Sequence, residues 1–508
     1  MKKNHFIARK GLFSLALAAV GAMFLGSCAE GFDSKETFDS GVYGVALNSP
    51  EITASNFTKK ANSDGSESVQ VSWKAVMGAG GYECIAYNVD DPENKIEVAT
   101  DTVDSPVFTF KCADDTNYEV AIRTLGNAKK NNSEAENATV ASYSTLVPAQ
   151  VIPQTEDVAD FVNAHILDTN EEQAFELEAN GQYTMNSEID FQNKKVTFRG
   201  NKLHRPVLKL GANGVIRTSA QLKLKYLNID CTDLANKGGV VELSSNPPAS
   251  ATAEAQGIGA GKSDGKPADC YILQDPIIFQ ECAFKNVPCC LFTVGQCAWG
   301  VSEVRVTDCI VQLNNNGSAW SGGSVISGYT HKGVAPSGGS FWSGGIQTIA
   351  VRNSTIFNIQ KNSKNYFVRF TNKDLDRVFP VKAGSFTIEN STLSMVMTGK
   401  DFANNMPQHD EYVIRMANSI FYDTYRLQKI NKGGCVLDFD KSTNAIRGIT
   451  NPVDNTDKEK YATVVDDLGF VGPFDQALDF DKPNYGINFK ATGSVSSTIG
   501  DPRWNITE

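Results

Sequence analysis

Between residues 222 and 422 the chain repeats one arrangement of apolar and polar positions. IIFQECAFKN, VRVTDCIVQL, IAVRNSTIFN, FTIENSTLSM and VIRMANSIFY share it, and LKLKYLNIDC is a weaker first copy. With Cys282, Cys309, Ser354, Ser391 and Ser419 as register marks, the intervals are 27, 45, 37 and 28 residues. Leu227 to Cys282 is 55, space for two turns. Five residues before the mark stand Ile277, Val304, Ile349, Phe386 and Ile414; three before it, Phe279, Val306, Val351, Ile388 and Met416. Two after it come Phe284, Val311, Ile356, Leu393 and Phe421. Apolar positions of period two that persist from copy to copy are one buried face of a strand. Just before the mark stand Glu281, Asp308, Asn353, Asn390 and Asn418, residues that tolerate left-handed backbone angles and turn the chain. Two short strands about a tight bend, repeated at variable spacing, predict a solenoid with loops of unequal length.

Ahead of the repeat the pattern changes. Residues 50–147 alternate in short runs (VQVSWKAV, YECIAYNV, SPVFTFK, NYEVAIRTL, ATVASYSTL) separated by turn residues, which reads as a small antiparallel sandwich. In TEDVADFVNAHI, Val158, Phe161, Val162 and Ile166 share one helical face, with Thr155 as the expected N-cap. A helix with one apolar stripe, placed just before a solenoid, is suited to plug the open end of its core.

Two resemblances sharpen this reading. Trp73, Tyr82 and the Tyr118 that opens YEVAIRT resemble the fibronectin type III pattern, which implies a spacer module. The bend with its Asn column resembles the turn ladder of right-handed parallel β-helices of the pectin-lyase type. The expected fold is therefore all-β: a fibronectin type III-like sandwich over 49–148, then a right-handed parallel β-helix over 149–508 with a short capping helix and a C-terminal cap.

The N-terminus is an address. Lys2, Lys3, Arg9 and Lys10 precede the apolar run Leu12–Leu25, a secretory signal over residues 1–27. Leu25-Gly26-Ser27-Cys28 resembles the lipobox of bacterial lipoproteins, which implies acylation of Cys28 and a lipid anchor in the outer membrane, with residues 28–48 as a tether. Glu30, Asp33, Glu36 and Asp39 resemble signals that send such proteins to the cell surface. The 508-residue chain carries a net charge of -11, and loss of residues 1–27 removes four basic residues to leave -15, which argues against a nucleic-acid binder. The ten cysteines from Cys84 onward lie mostly in apolar runs and read as small core residues.

Candidate chemistry is sparse. A third strand per coil (VVELSS, LFTVGQ, VISGYT, FVRFTN, LQKINK) places Glu242, Thr293, Ser327, Arg369 and Lys429 at one outward position. If no coil intervenes, Arg369 and Lys429 project side by side. Lys429 would then serve as base and Arg369 as carboxylate partner in β-elimination on a uronate. The insertion 314–345 holds Trp320, Tyr329, His331, Lys332, Phe341 and Trp342, rings and polar groups suited to stacking on sugars, while Trp299 reads as core. No carboxylate cluster supplies a motif for Ca²⁺, no other cofactor is called for, and Asp374 and Asp376 fall in a loop. Residues 192–229 carry nine cations (Lys194, Lys195, Arg199, Lys202, Arg205, Lys209, Arg217, Lys223 and Lys225) and no acid, either a steering face for an acidic polymer or a solvated surface balanced by acids at 438–481.

With Gly500-Asp501-Pro502-Arg503-Trp504 at its end, the chain resembles lipoproteins encoded in polysaccharide-utilisation loci. The resemblance implies capturing or cutting complex glycans at the outer membrane, alongside other glycan-uptake components; from the residues themselves, binding of a complex, acidic polysaccharide through Trp320, Tyr329, His331, Lys332, Trp342 and Arg369 is the leading expectation. A lyase using Lys429 and Arg369, and a non-catalytic adhesive scaffold, stay open as alternatives.

Overall fold

The computed structural model describes residues 41–261, 265–317, 324–361, 363–397, 401–424, 434–448, 461–493, 495 and 498–505. The chain divides into two compact units between Leu146 and Val147.

In the first unit, β1 (Phe57–Ala61), β2 (Glu67–Ser72) and β5 (Val107–Cys112) form one antiparallel sheet. β4 (Ile96–Val103), β3 (Gly81–Asn88), β6 (Asn117–Leu125) and β7 (Thr139–Ser144), in that order, form the other. This is a fibronectin type III-like sandwich. Alternate residues of β3 and β6 face inward, so Tyr82, Cys84, Ala86, Tyr118, Val120 and Ile122 are buried with Trp73. The Tyr82 hydroxyl accepts the Val76 N–H at 2.7 Å, and the Tyr118 hydroxyl accepts the Ala113 N–H at 2.8 Å, so each ring is apolar inside and satisfied at its tip. Part of the expected tether is packed against this unit: Leu47 is buried and its N–H donates to the Ser133 carbonyl at 3.1 Å.

The second unit is a right-handed parallel β-helix. Each coil runs through three parallel sheets, I, II and III. The strands of one coil illustrate the path: Ile277–Gln280 in sheet I, Ala283–Val287 in sheet II, and Cys290–Thr293 in sheet III. The apolar columns stack coil on coil: Ile277 on Val304, Ile349, Phe386 and Ile414, and Phe284 on Val311, Ile356, Leu393 and Phe421. All ten of these side chains are fully buried. Burial of each is worth about 1.5–3 kcal/mol.

The bend between sheets I and II is a single residue in left-handed conformation: Tyr226, Glu281, Asp308, Asn353, Asn390 and Asn418, with φ of 57°, 50°, 54°, 48°, 48° and 49°. Where these are asparagines their amides form a ladder, Asn390 Nδ2 donating to Asn353 Oδ1 at 3.2 Å and Asn418 Nδ2 to Asn390 Oδ1 at 2.6 Å. The register-mark serines add a second ladder inside the corner. Ser354 and Ser391 Oγ each donate to a carbonyl two residues back and accept an N–H from the preceding coil, from Cys309 at 3.1 Å and Ser354 at 3.3 Å respectively. A buried hydroxyl that both donates and accepts leaves no polar debt in the core.

Three expectations are corrected. Asp157, not Thr155, caps the helix Val158–His165, accepting the Ala159 N–H at 2.9 Å, because the helix starts at the first residue of its apolar stripe. The interval from Leu227 to Cys282 is one coil, not two: Leu222–Lys225 pairs directly with Ile277–Gln280, and the described residues 244–261 and 265–270 leave the stack as a loop. The cations of 192–229 are paired locally rather than balanced by 438–481. Lys194 meets Asp168, Lys195 Asp275, Arg199 Glu176, Arg205 Glu281, Lys209 Asp233, Arg217 Glu188, and Lys223 Glu172. Stacking coils bring acids of neighbouring turns beside them, so the stretch is no basic face.

Of the ten cysteines from Cys84 to Cys435, nine are buried. Burial pushes Cys297 up to about 11 and Cys84 up to about 12, so they act as small apolar side chains near neutrality.

Candidate ligand-binding face

The three outer faces differ in what they offer. Sheet II is covered by the chain's own C-terminal segment, where Leu478, Ile487, Phe489 and Trp504 bury Ala283, Ile310 and Phe357. Gly500-Asp501-Pro502-Arg503-Trp504 ends that cover. Thr355 Oγ1 donates to Asp501 Oδ2 and accepts from Trp504 Nε1, each at 2.7 Å, and an Arg503 amine donates to the Asp308 carbonyl at 2.8 Å. Sheet I carries a chain of alternating charges, Arg352–Glu389–Arg415–Asp438, that satisfies itself. Such half-exposed pairs contribute little stability each.

Sheet III presents a polar column. Asp190, Arg217, Glu242, Thr293, Ser327, Arg369 and Asn404 occupy one register position in successive coils, about 4.8 Å apart. They point away from the core, into which the flanking Val241, Phe292, Ile326 and Val368 turn, although Glu242, Thr293 and Ser327 are themselves buried. The expected outward position is therefore present, but the residue beside Arg369 is Asn404, from the strand Ala403–Asn404, and not Lys429. A coil does intervene, so the cation pair required by the elimination chemistry is not assembled at adjacent positions. Lys429 itself lies outside the described residues, as do Trp320 and Cys28.

Arg369 is gripped by aromatic rings. Its guanidinium lies 4.1 Å from the Tyr329 ring centroid and 5.6 Å from that of Tyr366. Stacking of this kind fixes the plane of the guanidinium. Tyr329 follows the strand Ile326–Gly328 and Tyr366 precedes Val368–Phe370, so adjacent strands deliver the two rings from opposite ends. Tyr366 was not anticipated. Its place three residues before the apolar-flanked Arg369 is the signal that could have found it.

The loops between sheets III and I build a wall beside this column. The Thr330 N–H donates to Thr371 Oγ1 at 2.9 Å, Asn372 Nδ2 to the Trp342 carbonyl at 2.7 Å, and Ser337 Oγ to Asp269 Oδ2 at 2.5 Å. Gly261 N–H reaches the Asp376 carbonyl at 2.9 Å, and Arg377 lies 5.6 Å from the Phe341 centroid. On this wall Trp342 is 49 % exposed, Lys332 is exposed and His331 is half-buried, its N–H donating to the Gly295 carbonyl at 2.8 Å. Gly333, at φ +65°, brings the chain against the Trp342 ring, where a Cβ would come within 3.1 Å of the indole. Trp299 is fully buried in the core, its Nε1 donating to the Ser244 carbonyl at 3.2 Å. Among the described residues no three His, Cys, Asp or Glu side chains converge as a metal site.

Comparison with known proteins places these features among domains without assigned roles. Residues 1–189 match the family model DUF4992 and residues 181–359 the model DUF4957, each described as a domain of unknown function. No curated protein matches the sequence. Among solved structures, the chain is similar to the fn3 domain of human collagen alpha-1(XX) chain, with 19% identity over 22% of this chain and 96% of that one, TM-score 0.16. It is also similar to a pectate lyase from Erwinia chrysanthemi solved in complex with tetragalacturonic acid, with 8% identity over 77% of this chain and 99% of that one, TM-score 0.19.

Proposed function

We propose that this protein binds an acidic polysaccharide along the outer face of sheet III, without cleaving it, as a lipid-anchored component of a glycan-uptake system at the outer membrane. The observation that carries the reading is Arg369 held between Tyr329 and Tyr366 on the face flanked by the Trp342 wall. A guanidinium fixed by stacked rings meets a uronate carboxylate through two parallel hydrogen bonds, and an exposed indole covers the apolar face of the adjoining sugar. Tyr329, His331, Lys332, Trp342 and Arg369 are the contact residues, with Trp320 added from the same insertion.

Affinity electrophoresis through pectin, alginate or glycosaminoglycan tests this. Retardation is expected with at least one of them. Arg369→Ala should weaken it about tenfold, roughly 1.4 kcal/mol, and Trp342→Ala should weaken it in the same direction. Arg305→Ala, which removes an arginine from sheet I, should leave it unchanged. The same mixtures are followed for absorbance of 4,5-unsaturated uronates; a rise abolished by Lys429→Ala would replace binding with lysis. Equal retardation of Arg369→Ala and the parent chain would remove the reading.

The anchor is tested separately. Cys28→Ala should move the protein from the detergent-extracted membrane fraction to the soluble one, since the acyl chains supply about 0.8 kcal/mol per buried CH₂. Retention of the variant in the membrane would exclude Cys28 as the attachment point.

A further inference from the structure

At the other end of the same column lies a cleft that the acidic-polymer reading does not use. It has a volume of about 330 Å³ and is lined by Glu188, Ala212, Asn213, Val215, Arg217, Ala235, Asn236 and Lys237. It opens where the short connections from sheet II to sheet III stack on one another, the Ala235 N–H donating to the Ala212 carbonyl at 3.1 Å. Alanine at both positions leaves the space that longer side chains would fill.

Behind the lining residues Arg217 and Asn236 lies a polar network. Glu242 is fully buried, and its Oε1 accepts from Asn236 Nδ2 at 2.7 Å and from the Gly239 N–H at 2.9 Å. Its Oε2 faces Arg217 Nη1 at 3.4 Å, and Arg217, 12% exposed, meets Glu188 through Nε at 3.1 Å. Glu242 Oε2 and Arg217 Nε both lack an aligned hydrogen-bond partner although buried. Burial of polar groups left short of partners is costly, and of these two residues Arg217 lines the cleft, where its guanidinium borders the space a ligand would fill.

We propose that this cleft is a binding site for a neutral mono- or disaccharide, distinct from the Arg369 face. Charge decides the ligand class. Arg217 and Lys237 are offset by Glu188 and Glu242, so the site has no surplus cation to attract a carboxylate, and an incoming anion would displace Glu188 from Arg217. Vicinal hydroxyls, in contrast, can donate to Glu188 and accept from Asn213, Arg217 and Lys237. Planar amide, guanidinium and carboxylate groups around a small apolar floor are the chemistry of such recognition, and the volume stands at the low end of small-molecule clefts, about 300–1,000 Å³. The inference does not depend on the function proposed for Arg369.

Saturation-transfer NMR and titration calorimetry on the full chain test it, with cellobiose, mannobiose and galactobiose as neutral probes and digalacturonate as the acidic one. At least one neutral disaccharide should bind saturably with millimolar affinity, roughly 4 kcal/mol. Asn213→Ala and Lys237→Ala, both at exposed positions, should each weaken it about threefold to tenfold, and Glu188→Gln should weaken it while leaving the circular dichroism spectrum unchanged. Arg369→Ala should leave neutral-sugar binding intact, which separates this site from the polymer face. Absence of neutral-disaccharide binding, or binding that all three cleft variants preserve, would overturn the proposal, as would a preference for digalacturonate that Lys237→Ala abolishes.

Discussion

Phe386→Ala is expected to lower the unfolding free energy of the β-helix by about 3–5 kcal/mol. Phe386 stands at an inward position of sheet I, in register with Ile349 and Ile414, and is fully buried. Its ring stacks with Phe367 at 5.7 Å between centroids and with Phe402 at 6.0 Å, and those two stack with each other at 5.4 Å. Two successive coils thus share one aromatic knot, and deleting one ring leaves a void that the rigid ladders on the neighbouring corner cannot collapse into. Urea unfolding followed by far-UV circular dichroism measures the loss. Phe386→Leu should cost less, because it retains most of the volume, and Ser385→Ala, one residue away on the outward face, should stay within about 0.5 kcal/mol. A Phe386→Ala midpoint equal to the parent's would show that the ring is not part of a cooperative core.

Trp504→Ala should detach the C-terminal cover from sheet II at a cost of about 3–5 kcal/mol to that docking. The indole is 5% exposed, donates to Thr355 and lies 5.8 Å from the Phe489 ring. Its loss should bare Ala283, Ile310 and Phe357, visible as increased binding of a hydrophobic dye and faster chymotryptic cutting within 470–505, with the inner coils still folded. Asp501 gives this docking a pH dependence of predictable sign. Burial pushes its carboxyl above the ordinary 3.8, outweighing the opposing pull of Arg503 and of the Thr355 hydrogen bond. A carboxyl that holds its proton more tightly when folded than when unfolded makes folding more favourable as pH falls from the raised value toward 3.8, and its contribution is flat above the raised value. Asp501→Asn should abolish that slope. If cutting of the parent chain accelerates as pH falls through this window and the Asn variant does not, the sign is wrong.

The repeat was readable because its physics is local. Each copy carries its own inward pair, its own bend and its own following strand, so the columns through Ile277, Phe279 and Phe284 could be aligned from the chain alone. The bend residues were readable for the same reason, since Asn390 and its counterparts each need a left-handed angle whatever surrounds them. Features that depend on distant partners were not. Ala403–Asn404 is a two-residue strand with no alternation to announce it, and it takes the position beside Arg369. β4 carries mostly exposed side chains at a sheet edge, so it lacks the inward stripe that marks a strand. The pairing of Lys195 with Asp275 and of Arg205 with Glu281 joins residues 80 and 76 apart in sequence, which only the stacking of coils brings together. Of the binding face, Tyr329 and Arg369 could be named but not their mutual grip, which two neighbouring strands create.

The left-handed bend also divides labour among the three edges of the prism. Because one residue makes the turn from sheet I to sheet II at each bend from Tyr226 to Asn418, the differences in coil length there, from 27 to 55 residues, are taken up at the other two edges. Segments there can be exchanged or lengthened without shifting the vertical alignment of any strand. A library that varies only residues 331–343 and 371–383 would therefore retune what the molecule grasps while its scaffold keeps time, coil after coil, along a seam that never changes stride.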